Sequence, residues 1–147
     1  MRTDYWFRSD DFPIQEREEE LTNPDCFGKS LAEWLAVRLS TYGYETEVIP
    51  EDWGWCVMCS RSEYLLWVGC GSVRTDDILK STVNSPPNAA NIVWHVFCTI
   101  EIPFFKPLSL FRRAVGLLDT KEPKARLGAA LGEIISANKG LRHCPEP

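Results

Sequence analysis

The twelve residues Asn91–Ile102, NIVWHVFCTIEI, constrain this chain more than any other stretch. They are rich in β-branched and aromatic residues, a composition suited to a pleated strand. Read at period two, Trp94, Val96, Cys98 and Ile100 share one face, and Val93, His95 and Phe97 share the other. A strand that is apolar on both sides belongs inside a sheet whose two faces both need cover.

Two further segments make the same demand. Trp53–Ser60 and Tyr64–Cys70 flank a short polar turn at Arg61-Ser62 and read as a hairpin. In the first strand Trp53, Trp55, Val57 and Cys59 fall on one face, with Gly54, Cys56, Met58 and Ser60 on the other. In the second, Leu65 and Trp67 oppose Tyr64, Leu66, Val68 and Cys70. Tyr44–Ile49 alternates as well, and Pro50 is expected to end its ladder. At the front of the chain Tyr5 and Phe7 alternate as in a short strand, and Glu16–Glu20 reads as a solvated loop.

The cover comes from helical segments. Phe27, Leu31, Trp34, Leu35, Leu39 and Tyr42 recur at helical spacing, with Asn23-Pro24 as a start signal, Ser30 and Glu33 as a later capping box, and Gly43 at the end. Pro107–Leu118 sets Leu108, Phe111, Val115 and Leu118 on one stripe, with Arg112 and Arg113 expected to face outward. Lys121–Asn138 carries Leu127, Leu131, Ile134 and Ile135, and Gly128 and Gly132 suit close packing. Between sheet and helices, 74–90 contains Pro86-Pro87 and reads as an irregular connection.

At 147 residues the chain is expected to be one domain, 1–147, able to bury roughly 70% of its unfolded surface without disulfides. Its parts are an acidic N-terminal segment (1–22), a helix (23–43), a sheet (44–102) and a helical part (107–140). The fold class is α+β: a mainly antiparallel sheet of about four to five strands against an N-terminal helix and two C-terminal helices.

Charge and motifs exclude more than they identify. The first residues are charged where a secretory signal is apolar, and no apolar run nears the roughly 20 residues of a membrane span. The cytoplasm is the expected location, with the six cysteines as thiols. Net charge is −5, with 13 acids against 5 bases in residues 1–52 and 8 against 11 in 53–147. That acidity disfavours nucleic acid and favours a basic protein partner. No nucleotide-binding, nucleophile-elbow or zinc-protease motif occurs, and no cofactor is expected.

The segment Pro50–Cys59, PEDWGWCVMC, joins two carboxylates, two tryptophans and a C-x-x-C. Zinc could draw on Cys56 and Cys59 with Cys70, or with His95 and Cys98. On a strand, however, positions three apart point to opposite faces, so no metal site is expected. Glu51 and Asp52 directly before Trp53 and Trp55 match the make-up of an interface hot spot. The segment reads as a turn entering a core strand, with its Glu-Asp-Trp rim exposed.

An enzyme reading rests on Cys26, in NPDCFGKSLAEW at an expected helix start that would favour a thiolate, and on His95 as its base. Through DCFG and WHVF this order resembles NlpC-type and papain-like peptidases, which would imply a cysteine hydrolase. A third option is a small-ligand module on the tryptophan-lined sheet. In size, acidity and layout the whole chain resembles the immunity proteins of bacterial toxin systems. That resemblance implies a protein that occludes a cognate toxin, meeting its basic surface with Asp10, Asp11, Glu51, Asp52, Trp53 and Trp55.

Overall fold

The computed structural model describes residues 2–82, 84–103 and 105–147. The described residues form one antiparallel sheet with helices on it, so the α+β class holds with more elements than expected. The strands are β1 (Asp4–Arg8), β2 (Glu47–Glu51), β3 (Gly54–Arg61), β4 (Leu65–Ser72), β5 (Trp94–Glu101) and β6 (Arg142–His143). The helices are α1 (Lys29–Ser40), α2 (Asp76–Leu79), α3 (Pro107–Ala114) and α4 (Lys121–Ala137). Among them no helix is long and apolar enough to cross a membrane.

Strand order is β2-β3-β4-β5-β1-β6. The strands with the strongest two-sided apolar pattern, β3 to β5, hold the centre, and the weaker ones hold the edges. Pro50 does not end its ladder; it lies within β2, opposite Trp55. An edge strand tolerates this, because a proline there need not donate. The two-residue β6 and the single turn of α2, both unexpected, extend the β1 edge and interrupt the 74–90 connection.

Helices α1 and α4 both rest on one face of the sheet. Leu31, Leu35 and Leu39 of α1, with Leu127, Leu131 and Ile135 of α4, pack against Phe7, Val57, Val68, Trp94 and Val96. All eleven are nearly or fully inaccessible. Gly132 lets α4 approach β1, since a Cβ there would sit 3.0 Å from the Tyr5 hydroxyl.

The helix expected from residue 23 begins only at Lys29. Asp25 has φ 68° and Gly28 φ 145°, so the chain turns twice before the helix can propagate. Asn23 does not cap it; its amide donates to the Asp52 carbonyl at 2.9 Å. The cap is Glu18, in the stretch expected to be solvated. Its buried Oε1 accepts from the backbone N–H of Gly28 (2.8 Å) and Lys29 (3.1 Å), and Oε2 accepts from Gln15 N–H (2.7 Å). A carboxylate ten residues upstream thus satisfies free donors of a helix N-terminus.

The stripe on α3 faces the opposite way from expectation. Leu108, Phe111 and Val115 are exposed, Ser109 is buried, and Arg112 turns inward to pair with Glu63. Lys106 donates to the Ser62 carbonyl, so two contacts fasten α3 to the β3–β4 turn.

Candidate functional site

The second sheet face carries no helix among the described residues and is covered by its own aromatic rings. Gly71 and His95 are cross-strand neighbours, as are His95 and Trp6, while the next row runs Cys56, Gly69, Phe97 and Asp4. A Cβ built on Gly69 would collide with the Phe97 ring, and one on Gly71 would meet Trp53. The glycines leave room for rings to lie flat on the backbone. Trp6 stacks on His95 at 4.7 Å and 3°, and His95 lies 4.9 Å from Phe97. Trp53, Trp67 and Phe97 then form a triangle with centroids 5.5–5.8 Å apart. These separations are those of favourable aromatic pairs.

Trp53 joins this layer by leaving the strand parity expected for it. Gly54, at φ 156° and with no space for a Cβ beside the Cys70 carbonyl, swings the preceding residue over the other face. Trp53 is 39% exposed, whereas Trp55 is 2% exposed in the helix-covered core. The rim Glu51-Asp52-Trp53 is therefore exposed as expected, and Trp55 is not available at the surface. Asp10 and Asp11 follow β1, at the same end of the sheet but near its opposite edge. Asp10 pairs with Arg142 at 3.3 Å, so these two acids do not join the rim.

Polar chemistry on this face centres on His95, whose Nε2 stands 3.0 Å from Asp4 Oδ1. Burial opposes the Asp4 charge, but hydrogen bonds from His95 and Thr3 and the charges of His95 and Lys124 outweigh it. The carboxyl titrates below its ordinary value. Cys26 lies in the loop before α1, 8% exposed, not at a helix start. Its neighbour Phe27 donates to Ser72 Oγ and sits in the helix-covered core, while His95 belongs to the other face. The hydrogen-bond partner of His95 is Asp4, not Cys26.

The C-x-x-C divides across the sheet as the strand reading requires. Cys59 packs in the helix-side core and Cys56 beneath the ring layer, with a bulge between Met58 and Ser60. Burial is the main force that pushes both thiols up to about 12. It also raises Cys70 well above the ordinary thiol range, and Cys98 to a lesser degree. Among the described residues no group of three or more His, Cys, Asp or Glu side chains is placed to hold a metal ion.

A cleft of about 880 Å³ opens below β2 and β3, between the end of α1 and the start of α4. Tyr44 and Tyr64 line it beside two ion pairs, Arg61–Glu47 (3.0 Å) and Arg126–Glu122 (2.8 Å). Burial raises the Tyr44 phenol, so it enters this cleft as a neutral hydrogen-bonding group. The ion pairs occupy the charged walls with one another.

Comparisons with family models, curated proteins and solved structures return no match. The geometry alone carries the functional argument. Trp6, Trp67 and Phe97 were absent from the residues expected at a site. The signal for them lay in Trp67-Val-Gly-Cys-Gly71, where two glycines on one strand face mark backbone that a neighbouring ring can cover.

Proposed function

We propose that this chain is a non-enzymatic protein-binding domain of the immunity or inhibitor kind, which captures a basic partner such as a toxin and occludes it. The observation that carries this reading is a sheet face covered by Trp6, Trp53, Trp67, His95 and Phe97 in place of a helix, with Glu51 and Asp52 along its β2 side. Rigid aromatic side chains give large contact area with few rotatable bonds, and half-exposed ones gain further burial on binding. Neighbouring carboxylates would speed encounter with a positive surface and disfavour an acidic one. Against the hydrolase reading, His95 bonds to Asp4 and Cys26 lies buried in the loop before α1.

The test is capture of a partner from a lysate of the source organism by immobilised wild type and by two charge-reversed variants. Lysine at Glu51 and Asp52 is expected to weaken capture of the retained protein at least tenfold. Lysine at Glu122 and Glu133, on α4, should change it less than threefold. Equal effects at the two places would remove this surface from the reading. Trp53→Ala with Trp67→Ala should slow association little and speed release strongly.

A further inference from the structure

Among the described residues, one sheet face lacks a helix and one helix carries an apolar stripe that lacks a sheet. Leu108 and Phe111 of α3, with Val115 and Leu117 just beyond it, keep 51–70% of their surfaces exposed. Residues 103–118 also hold three basic side chains and no acid, in a chain of net charge −5, and with Arg112 paired to Glu63 the charges left for a counterpart are those of Lys106 and Arg113. Exposed apolar side chains grouped this way mark a contact surface. Their basic flank calls for an acidic, apolar counterpart. The aromatic face, with Glu51 and Asp52 beside it, has that chemistry.

We infer that a second copy of this chain supplies the counterpart, each copy laying its α3 stripe on the aromatic face of the other in a reciprocal two-fold dimer. The inference rests on the aromatic face being a docking surface, and it makes the dimer the state in which the protein waits for its partner. Charge selects this pairing over α3 against α3, which would bring the two basic flanks together. Position supports it too. Contacts with Ser62 and Glu63 fasten α3 beside the turn that leads into Trp67, so giving and receiving surfaces adjoin on each copy. A two-fold contact requires such self-complementarity, and each copy then contributes to two contacts.

Sedimentation equilibrium of the whole chain from 1 to 200 μM tests this. The expected result is a dimer at the upper concentrations whose dissociation constant rises at least tenfold between 50 and 500 mM salt. Leu108→Glu with Phe111→Glu changes only exposed side chains and should give a folded monomer by circular dichroism. Trp53→Ala with Trp67→Ala should also be monomeric. The decisive sample mixes these two variants: one intact α3 then meets one intact face, and a heterodimer should form more weakly than the wild-type dimer. Dimerisation that survives the face variant, or a mixture that stays monomeric, overturns the pairing. A wild type that stays monomeric throughout also overturns it. Capture of a partner by the same face variant, scored separately, tells failure of the dimer from failure of the partner reading.

Discussion

The two faces of this sheet solve one problem by different means. On the first, α1 and α4 bring leucines and isoleucines onto Phe7, Val57, Val68, Trp94 and Val96, and water is excluded. On the second, Trp53, Trp67, Phe97, His95 and Trp6 fold over glycines and a small buried thiol. The helical solution maximises burial. The aromatic one leaves a flat, half-wet surface of rigid rings, which stabilises less but remains open to a partner. The same residue type serves both ends: Trp94 is 1% exposed and Trp53 39%.

If that contrast is right, truncation should separate the faces clearly. Trp94→Ala is expected to destabilise by about 3–5 kcal/mol, the range for emptying a large buried aromatic site. Trp53→Ala should stay within about 1 kcal/mol, because much of its surface is already in water. Urea unfolding followed by circular dichroism measures both. Similar losses for the two would mean that the ring layer is a second core.

The next test concerns the cap that holds the helix-bearing side in place. Glu18→Ala strands the N–H donors of Gly28 and Lys29, and charge-assisted bonds of this type contribute about 1.5–3 kcal/mol. Glu18→Gln keeps one acceptor oxygen and should recover part of the loss. Full stability in Glu18→Ala would show that the loop 9–28 is held by other contacts, such as the bond from Phe27 N–H to Ser72.

How far these features could be read in the sequence depends on the range of the interaction behind each. The faces of β4 and β5 follow from period-two alternation, and the structure keeps every assignment. Parity failed at Trp53, because the turn before Gly54 resets which side a residue faces. The start of α1 was misplaced because its acceptor, Glu18, lies ten residues away in sequence, beyond any local capping motif. The α3 stripe was legible as a stripe but not in direction, since amphipathicity does not say whether the apolar side meets the protein's own core. The two-residue β6, paired only with Phe7 and Arg8, has too little pattern to detect. At the candidate site the rim Glu51-Asp52-Trp53 was legible, and the ring layer behind it was not. It arises from cross-strand register between β1, β4 and β5, which local pattern does not supply.

A smaller effect probes the ring layer itself. Gly69→Ala places a methyl group against Phe97 and should destabilise by about 1–2 kcal/mol, although glycine is ordinarily the weaker strand residue. In a Phe97→Ala background the same change should be nearly neutral, a coupling that a double-mutant cycle reads directly. Phe97→Ala should also uncover Cys56, its neighbour across Gly69. With its thiol held near 12, Cys56 has on the order of 10⁻⁴ thiolate at pH 8 and should label very slowly in the wild type. Faster alkylation at Cys56 but not at Cys70 would place the opening on the aromatic face. Equal labelling of both would indicate general loosening.

The smallest expected effect lies in the contact between Asp4 and His95 at the ring layer. Asp4 titrates below its ordinary value of 3.8 in the fold, because His95 and Thr3 bond to the carboxylate and outweigh the opposing effect of burial. A folded-state value below the unfolded one means that the fold favours the charged form. The resulting stability is fully present above the unfolded value and is lost as pH falls through the folded one. Asp4→Asn should therefore flatten the acid side of the stability profile below about pH 5 and leave neutral stability nearly unchanged, because the pair is substantially exposed. Stacking of His95 between Trp6 and Phe97 should persist in this variant, since ring contacts rather than the ion pair hold the imidazole flat. A large shift in the His95 ring proton resonances beyond the change in titration would show instead that Asp4 sets the ring's place, and that the layer depends on charge as well as on stacking.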